Sequence, residues 1–315
     1  MAGFAHFVGL TAPLFLLVLL GFALTRLSRW PRAATDALTR FVFTVAMPAL
    51  LFRLMSDFSR LPAVDARILL VYFGGCLIVY GAGRMLGGVL FGMDGVARSV
   101  FAMGGIFANT VMLGLPIAKV TLGDAALPGM SLVIVFNSLI LWTLVTLSVE
   151  WARHRELSAR GFARTLRGVV LNPIVASILL GTAFGFTHLP LPDVADRTLA
   201  LVAEAALPLS LIALGMGLVE FDIRAGARVT FTLSAVKLVV QPLAVFALAR
   251  LVGLAPLDTA VVVLLAALPI GANVYLMARQ FATLEGPVAS SIVLTTALAA
   301  LTTPIALAAI GAAVR

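Results

Sequence analysis

Two short constellations of asparagine, glycine and proline interrupt apolar segments of the chain and offer its clearest binding chemistry. They read Asn-Thr-x-x-x-Gly-Leu-Pro and Pro-x-Gly-x-Asn, and they comprise Asn109, Thr110, Gly114 and Pro116 in the first and Pro269, Gly271 and Asn273 in the second. Proline lacks a backbone N–H and interrupts helices, and a broken helix in hydrocarbon exposes costly polar groups unless protein or water surrounds them. We therefore predict that both breaks line an enclosed cavity that binds a substrate.

The chemistry expected at such breaks is recognition of an anion. A half-helix that begins within the membrane presents unpaired N–H groups and partial positive charge, so it can bind a carboxylate without a charged side chain. Asn109 and Asn273 add amide donors and acceptors, while Gly114 and Gly271 permit close approach of the backbone. The alternative is that each asparagine only satisfies carbonyl groups freed by its neighbouring proline, and the two roles are compatible.

Two ionisable residues fall inside apolar segments and are candidates for ion coupling, because charges within membrane segments usually serve a function. Lys237 could contact an anionic substrate, release a proton, or take the place of a sodium ion in related symporters. It could equally be a structural lysine that binds unwound carbonyl groups. Glu204 could carry a coupling proton or form an ion pair with Lys237, and the sequence does not distinguish these roles.

The remaining polar residues give weaker indications. Asn137 and Gln241 could face the same cavity, although polar residues also join membrane helices to one another. An intramembrane enzyme would need a nucleophile with a base, a carboxylate pair or a metal cluster. No aspartate lies at mid-span, Cys76 has no evident histidine partner, and the histidines lack metal-ligand spacing. We therefore expect no catalysis, no bound metal and no cofactor beyond a coupling proton or sodium ion.

The composition places these residues in a membrane protein. Hydrophobic residues make up 62% of the 315 residues and charged residues 11%, with a mean hydropathy of +1.12, whereas a soluble domain has roughly 25% charged residues. The net charge of +8 does not indicate nucleic-acid binding, because the arginines lie between hydrophobic runs and orient helices there. One membrane domain, with lipid around it, accounts for the whole chain.

The hydropathy pattern predicts ten membrane spans. Their approximate bounds are 5–25, 37–55, 67–91, 95–119, 127–149, 169–187, 196–219, 226–252, 256–280 and 287–312. Lys and Arg are concentrated in the loops that follow the odd-numbered spans, and the positive-inside rule places these loops in the cytoplasm. Both termini are then predicted to be extracytoplasmic.

An internal repeat follows from this arrangement. Residues 1–150 and 169–315 each contain five predicted spans, and a basic cytoplasmic linker, residues 151–168, joins them. Since five is odd, the second half must enter the membrane with the opposite orientation, which is inverted-repeat topology. The prolines support the repeat: Pro48 precedes Pro116 in the first half much as Pro208 precedes Pro269 in the second.

These motifs resemble the auxin efflux carrier family, which includes the plant PIN-type carriers and bacterial organic-acid permeases. The resemblance rests on the Asn109–Pro116 and Pro269–Gly271 motifs, on Arg40-Phe41-Val42 leading to Pro48, and on Lys237-Leu-Val-Val-Gln-Pro242, and it covers essentially the whole chain. It implies an all-α membrane fold of ten transmembrane helices in two inverted five-helix repeats. It also implies broken crossing helices 4 and 9, a scaffold, a transport domain that moves as an elevator, and a homodimer.

The function predicted from these features is secondary transport of a small organic anion. The substrate would be a carboxylate such as malonate or malate, or an auxin-like monocarboxylate, bound between the crossing breaks and Lys237. The short linker favours a bacterial permease of the inner membrane over a plant carrier. The alternatives are a sodium-coupled symporter of the bile-acid type and, with less support, an intramembrane enzyme or a channel.

Overall fold

A computed structural model describes residues 2–56, 65–154, 170–219 and 226–313, together with residues 167 and 221. Helices make up nearly all of this part of the chain, and no strand occurs in it. The α-helices are α1 (Ala2–Arg26), α2 (Arg32–Phe41), α3 (Met47–Met55), α4 (Arg67–Phe91), α5 (Gly95–Ile106), α6 (Leu115–Leu122), α7 (Leu127–His154), α8 (Pro173–Gly185), α9 (Asp193–Leu218), α10 (Ala227–Ala235), α11 (Gln241–Val252), α12 (Pro256–Ala267), α13 (Asn273–Gln280) and α14 (Glu285–Ala313). Most of the predicted linker, residues 151–168, lies outside the described residues.

Within the described ranges, seven helical segments are long and apolar enough to cross a membrane, so the chain is an integral membrane protein. They are Phe4–Arg26, Arg32–Met55, Arg67–Phe91, Asp124–Arg153, Asp193–Leu218, Ala227–Val252 and Glu285–Gly311. The other three predicted spans contain shorter apolar helices, which are Gly95–Ile106 and Thr110–Leu122, Pro173–Gly185, and Pro256–Ala267. At about 1.5 Å per residue, a helix of 12 residues such as α5 covers only about 18 Å of the roughly 30 Å of hydrocarbon.

Three spans contain a wider, π-helical turn, and each turn is followed by a proline. The turns and their prolines are Val42–Ala46 before Pro48, Thr110–Gly114 before Pro116, and Val236–Val240 before Pro242. In each case proline is the second residue of the α-helix that follows. A proline cannot donate to the carbonyl four residues earlier and its ring crowds that carbonyl, so the preceding turn widens instead of breaking.

The prediction that Pro116 interrupts its helix is wrong in position. Pro116 lies inside the helical segment Thr110–Leu122, and the interruption falls earlier, at residues 107–109. The physical reason is that a proline early in a helix is compatible with helical geometry. By contrast, Pro269 does lie within an interruption, which covers residues 268–272. We call residues 107–109 the first break and residues 268–272 the second break.

The helices pack in two groups. In the first group, α9 packs against α1, α2 and α3, and α3 packs against α8. In the second group, α4 to α7 and α10 to α14 pack around the two breaks, and α6 also contacts α1 and α9 of the first group. Glycines permit the closest contacts of the first group, since a side chain at Gly21 or Gly215 would overlap the main chain of the facing helix and one at Gly181 would lie 2.6 Å from the Phe52 carbonyl oxygen. The two groups meet along α1, α6, α9 and α14.

Candidate functional site

The two breaks contact each other directly in the second group of helices. Ala108 and Ile270 form an isolated antiparallel bridge. The N–H of Asn109 donates to the Pro269 carbonyl oxygen at 2.9 Å, and the N–H of Gly271 donates to that of Phe107 at 3.0 Å. An extended backbone leaves N–H and C=O groups without the partners that a helix would provide. Each break therefore supplies hydrogen-bond partners for some of these groups in the other break. The sequence predicted the two motifs separately, and the fold brings them together.

Local sequence explains how these breaks form. Leu268 is extended, with ψ of 154°, because the ring of a following proline disfavours helical geometry in the preceding residue. Gly271 permits the close approach, since a Cβ there would lie 3.0 Å from the Ala108 carbonyl oxygen. A Cβ at Gly114 would lie 2.6 Å from Cδ1 of Leu268. Both glycines therefore occupy positions where a larger residue would push the breaks apart.

Each break also leaves one carbonyl group near the end of the preceding helix without its usual donor. In a continuous helix, Ile106 would accept from the N–H of residue 110 and Ala266 from that of residue 270. Instead, the N–H of Thr110 donates to Ala108 at 2.9 Å, and the N–H of Ile270 donates to Oγ1 of Thr295 at 3.2 Å. The carbonyl oxygens of Ile106 and Ala266 consequently need donors from elsewhere.

Lys237 and Gln241 supply those donors from one face of the helix that contains them. Nζ of Lys237 donates to the Ala266 carbonyl oxygen at 2.7 Å and to Oε1 of Gln241 at 2.8 Å. Nε2 of Gln241 donates to the Ile106 carbonyl oxygen at 3.1 Å and contacts Sγ of Cys76 at 3.4 Å. Both side chains are fully buried. This pair thus joins the C-terminal ends of α5 and α12, where the helix dipole favours a cation.

The fold does not bring Glu204 to Lys237. Lys237 binds the two neutral oxygens just described, whereas Glu204 is an exposed side chain on α9 in the electrostatic neighbourhood of Arg53. Arg53 itself donates to both carboxylate oxygens of Asp196, with the shorter contact at 2.6 Å. Of the two roles that the sequence left open for Glu204, the ion pair with Lys237 does not form, because the two residues lie on helices of different groups. The role of a coupling-proton carrier stays a prediction.

On the opposite side of the first break, the helix beginning at Thr110 presents unpaired donors. No backbone oxygen in the described part of the chain accepts from the N–H groups of Val111, Met112 or Leu113. The side chain of Asn109, 8% exposed, has no hydrogen-bond partner there either. Thr110, 5% exposed, likewise has a free hydroxyl. Polar groups without partners are uncommon in protein interiors, so this helix end is a candidate position for a ligand.

The helix that follows the second break also begins with unpaired N–H groups, and its first residues are more exposed than those after the first break. The N–H groups of Ala272 and Asn273 at the start of α13 have no backbone acceptor among the described residues. Ala272 is exposed and Asn273 is half-buried, and the amide side chain of Asn273 has no partner in that part of the chain. Two helix N-termini thus carry free donors beside the crossing, and each carries partial positive charge.

Asn137 lies on α7 at about the height of the first break. A Cβ at Gly114 would contact Met130 at 3.5 Å, and one at Gly95 would contact Ala152 at 2.8 Å, so α7 runs antiparallel to α5 and α6. Asn137 falls between these two contacts. It is 3% exposed, and its Oδ1 has no hydrogen-bond partner among the residues that the structure describes. Its position and free oxygen keep it a candidate for the site.

Sequence reasoning did not identify Ser210 of α9 as a site residue. Its Oγ lies 3.0 Å from the carbonyl oxygen of Met112, across the boundary between the two groups of helices. The signal was available in principle, because Pro116 deprives that carbonyl of its helical donor. The partner on another helix could not be identified from spacing.

Comparisons with known proteins agree with a transport function for this arrangement. Residues 6–307 match the model of a family described as membrane transport protein. The chain is 27% identical over 304 residues to a Rhizobium meliloti (strain 1021) protein named "Putative malonate transporter", covering 95% of this chain and 94% of that protein. It is 23% identical over 337 residues to auxin efflux carrier component 8 of Arabidopsis thaliana, covering 88% and 89%.

Proposed function

Since the chain belongs to the membrane transport protein family, the family of the auxin efflux carriers, we propose that it carries a small organic anion that binds at the crossing of the two breaks. The observation that carries this proposal is the set of free N–H groups at Val111, Met112 and Leu113 beside the unpartnered amide of Asn109. A carboxylate accepts several hydrogen bonds at once and is stabilised by the positive end of a helix. It therefore satisfies these donors better than a neutral solute would.

The substrate class is proposed from this chemistry together with the names of the relatives. Malonate and auxin both carry a carboxylate, although one is a dicarboxylate and the other is aromatic. The site would hold that shared group against the helix N-termini, with Asn109, Thr110 and Asn273 as side-chain ligands and Asn137 as a further candidate. The backbone of the site would be shaped by Gly114, Pro116, Pro269 and Gly271. Gln241 would support this backbone by donating to the Ile106 carbonyl oxygen.

Lys237 is proposed to act as a fixed internal cation that holds the crossing together. Its ammonium group binds the Ala266 carbonyl and Gln241 and has no exposed surface, so in this conformation it does not reach a substrate directly. This role favours the structural alternative over direct substrate contact. The gradients imposed in the experiment below assign the coupling ion, a proton or sodium.

The transport movement is proposed to be of the elevator type. The first group of helices, α1, α2–α3, α8 and α9, would form the scaffold, and the second group would carry the crossing past it. The proposal includes ten spans in two inverted repeats with both termini extracytoplasmic, which this division into two groups supports. A homodimer formed through the scaffold in the inner membrane of a bacterium is proposed from the family resemblance.

The test is uptake of radiolabelled malonate, malate and indole-acetate into proteoliposomes under separate pH, sodium and voltage gradients. We expect saturable uptake of at least one acid, and the effective gradient identifies the coupling ion. Dependence on sodium alone would favour the symporter alternative, and flux that rises linearly with concentration would favour a channel. Uptake of none of the acids would overturn the proposed substrate class.

A further inference from the structure

Ser210 contacts the proposed anion site from the other group of helices. The residue is fully buried in α9. Its Oγ lies 2.7 Å from the carbonyl oxygen of Leu207 in its own helix and 3.0 Å from that of Met112 in the turn that follows the first break. A serine hydroxyl has one hydrogen to donate. The two carbonyl groups therefore compete for, or share, a single donor.

The Met112 carbonyl lacks its usual α-helical donor because it lies four residues before Pro116. In an α-helix, the N–H of residue 116 would donate to this carbonyl, and proline has none. A buried carbonyl without a partner is costly. The Leu207 carbonyl, by contrast, belongs to a continuous helix, so the hydroxyl can turn back to it when α6 and α9 move apart.

We propose that Ser210 is a positioning residue for the anion site, acting through the Met112 carbonyl. By holding this carbonyl, Ser210 orients the turn Thr110–Gly114, whose N–H groups at Val111, Met112 and Leu113 face the proposed substrate. Because α9 belongs to the proposed scaffold, the contact exists only while the two groups of helices are in this arrangement. The site is thus ordered by its own scaffold contact, an inference that rests on the proposed function.

The chain offers a matched control for testing this role. Ser177 of α8 is also buried, and its Oγ donates at 2.8 Å to Ile174 in its own helix, in the same local pattern as Ser210 and Leu207. Ser210→Ala removes the local bond and the contact to Met112, whereas Ser177→Ala removes a local bond only. Ser210→Thr keeps a hydroxyl and serves as the rescue variant.

The first measurement is amide hydrogen exchange of the purified full-length protein, which requires no transport activity. We expect Ser210→Ala to accelerate exchange across residues 110–122 by roughly two- to tenfold, the equivalent of one net hydrogen bond. Ser177→Ala should leave this segment unchanged, and Ser210→Thr should restore its protection. Equal exchange in Ser210→Ala and the unmodified protein would overturn the inference, whatever the protein transports.

The second measurement is the concentration dependence of anion uptake in proteoliposomes. Ser210→Ala should raise KM by roughly two- to tenfold, since the donors of the turn lose their orientation, and Ser177→Ala should not. A Ser210→Ala protein with faster exchange but unchanged KM would overturn the positioning role. If the unmodified protein takes up no anion, the proposed function fails, and the exchange result still decides whether Ser210 orders the turn.

Discussion

The two sides of the helix crossing differ in how their backbone groups are satisfied. On the side of the C-terminal helix ends, the carbonyl groups of Ile106 and Ala266 bind Gln241 and Lys237, which are fully buried. On the side of the N-terminal helix ends, N–H groups and the amide of Asn109 have no partner in the described residues. The same kind of break thus produces a completed structural contact on one side and a set of unpaired donors, the proposed binding surface, on the other. Substitutions on the first side should reduce stability, and those on the second should reduce substrate affinity.

The largest expected effect on stability is that of Lys237→Met. This change leaves the Ala266 carbonyl and Oε1 of Gln241 without a donor, at about 1–3 kcal/mol for each buried group. We expect the free energy of unfolding, measured by SDS titration in mixed micelles, to fall by about 2–6 kcal/mol. Lys119→Met is the matched control, because Lys119 is half-buried and its Nζ forms an ion pair with Asp124 at 3.5 Å. Equal loss in both variants would contradict a structural role for Lys237.

Gly271→Ala tests the contact between the breaks themselves. The added Cβ would lie 3.0 Å from a backbone oxygen, so the breaks must separate, at a cost of about 1–3 kcal/mol. Both the free energy of unfolding and uptake should fall. Gly81→Ala, where a Cβ would meet nothing within 4 Å, should be neutral or slightly stabilising. Should the Gly271 variant remain as stable as the Gly81 variant, close packing of the breaks is not required.

Asn109→Ala should affect affinity without affecting stability. The side chain binds nothing in the described part of the chain, so its removal should change the free energy of unfolding by less than about 0.5 kcal/mol. Loss of a hydrogen bond to substrate should raise KM for uptake roughly two- to tenfold. Asn109→Asp, which has the same shape and a negative charge, should impair anion binding further. A destabilised Asn109→Ala protein with an unchanged KM would show that Asn109 stabilises the fold and does not bind substrate.

Glu204→Gln should have the smallest effect. The side chain is exposed on α9 and lies apart from Lys237 and its partners. Because exposed charges contribute little interaction energy, we expect the uptake rate at each pH to stay within about twofold of that of the unmodified protein. Uptake measured across a series of pH gradients checks this. If the variant loses proton dependence while it still transports anion, Glu204 carries the coupling proton.

Much of the site was predictable because prolines and intramembrane polar residues are local signals. The second break at Pro269 follows from the effect of a proline on the residue before it, and the buried Lys237 followed from its position in an apolar run. The first break was misplaced, because a proline near a helix start widens the preceding turn instead of ending the helix. Ser210 and Thr295 were missed, since each binds a backbone group of a segment distant in the sequence.

The sequence by itself determined that this protein is an all-helical membrane protein with two interrupted segments, because hydropathy and proline chemistry act over a few residues. Only the tertiary structure decided which freed groups found partners. The carbonyl groups at Ile106 and Ala266 are satisfied because α11 and its preceding turn pack beside both helix ends, whereas the donors after Asn109 stay unpaired. That distinction depends on which helices become neighbours, and hydrogen bonds between distant segments leave no periodic pattern in the chain.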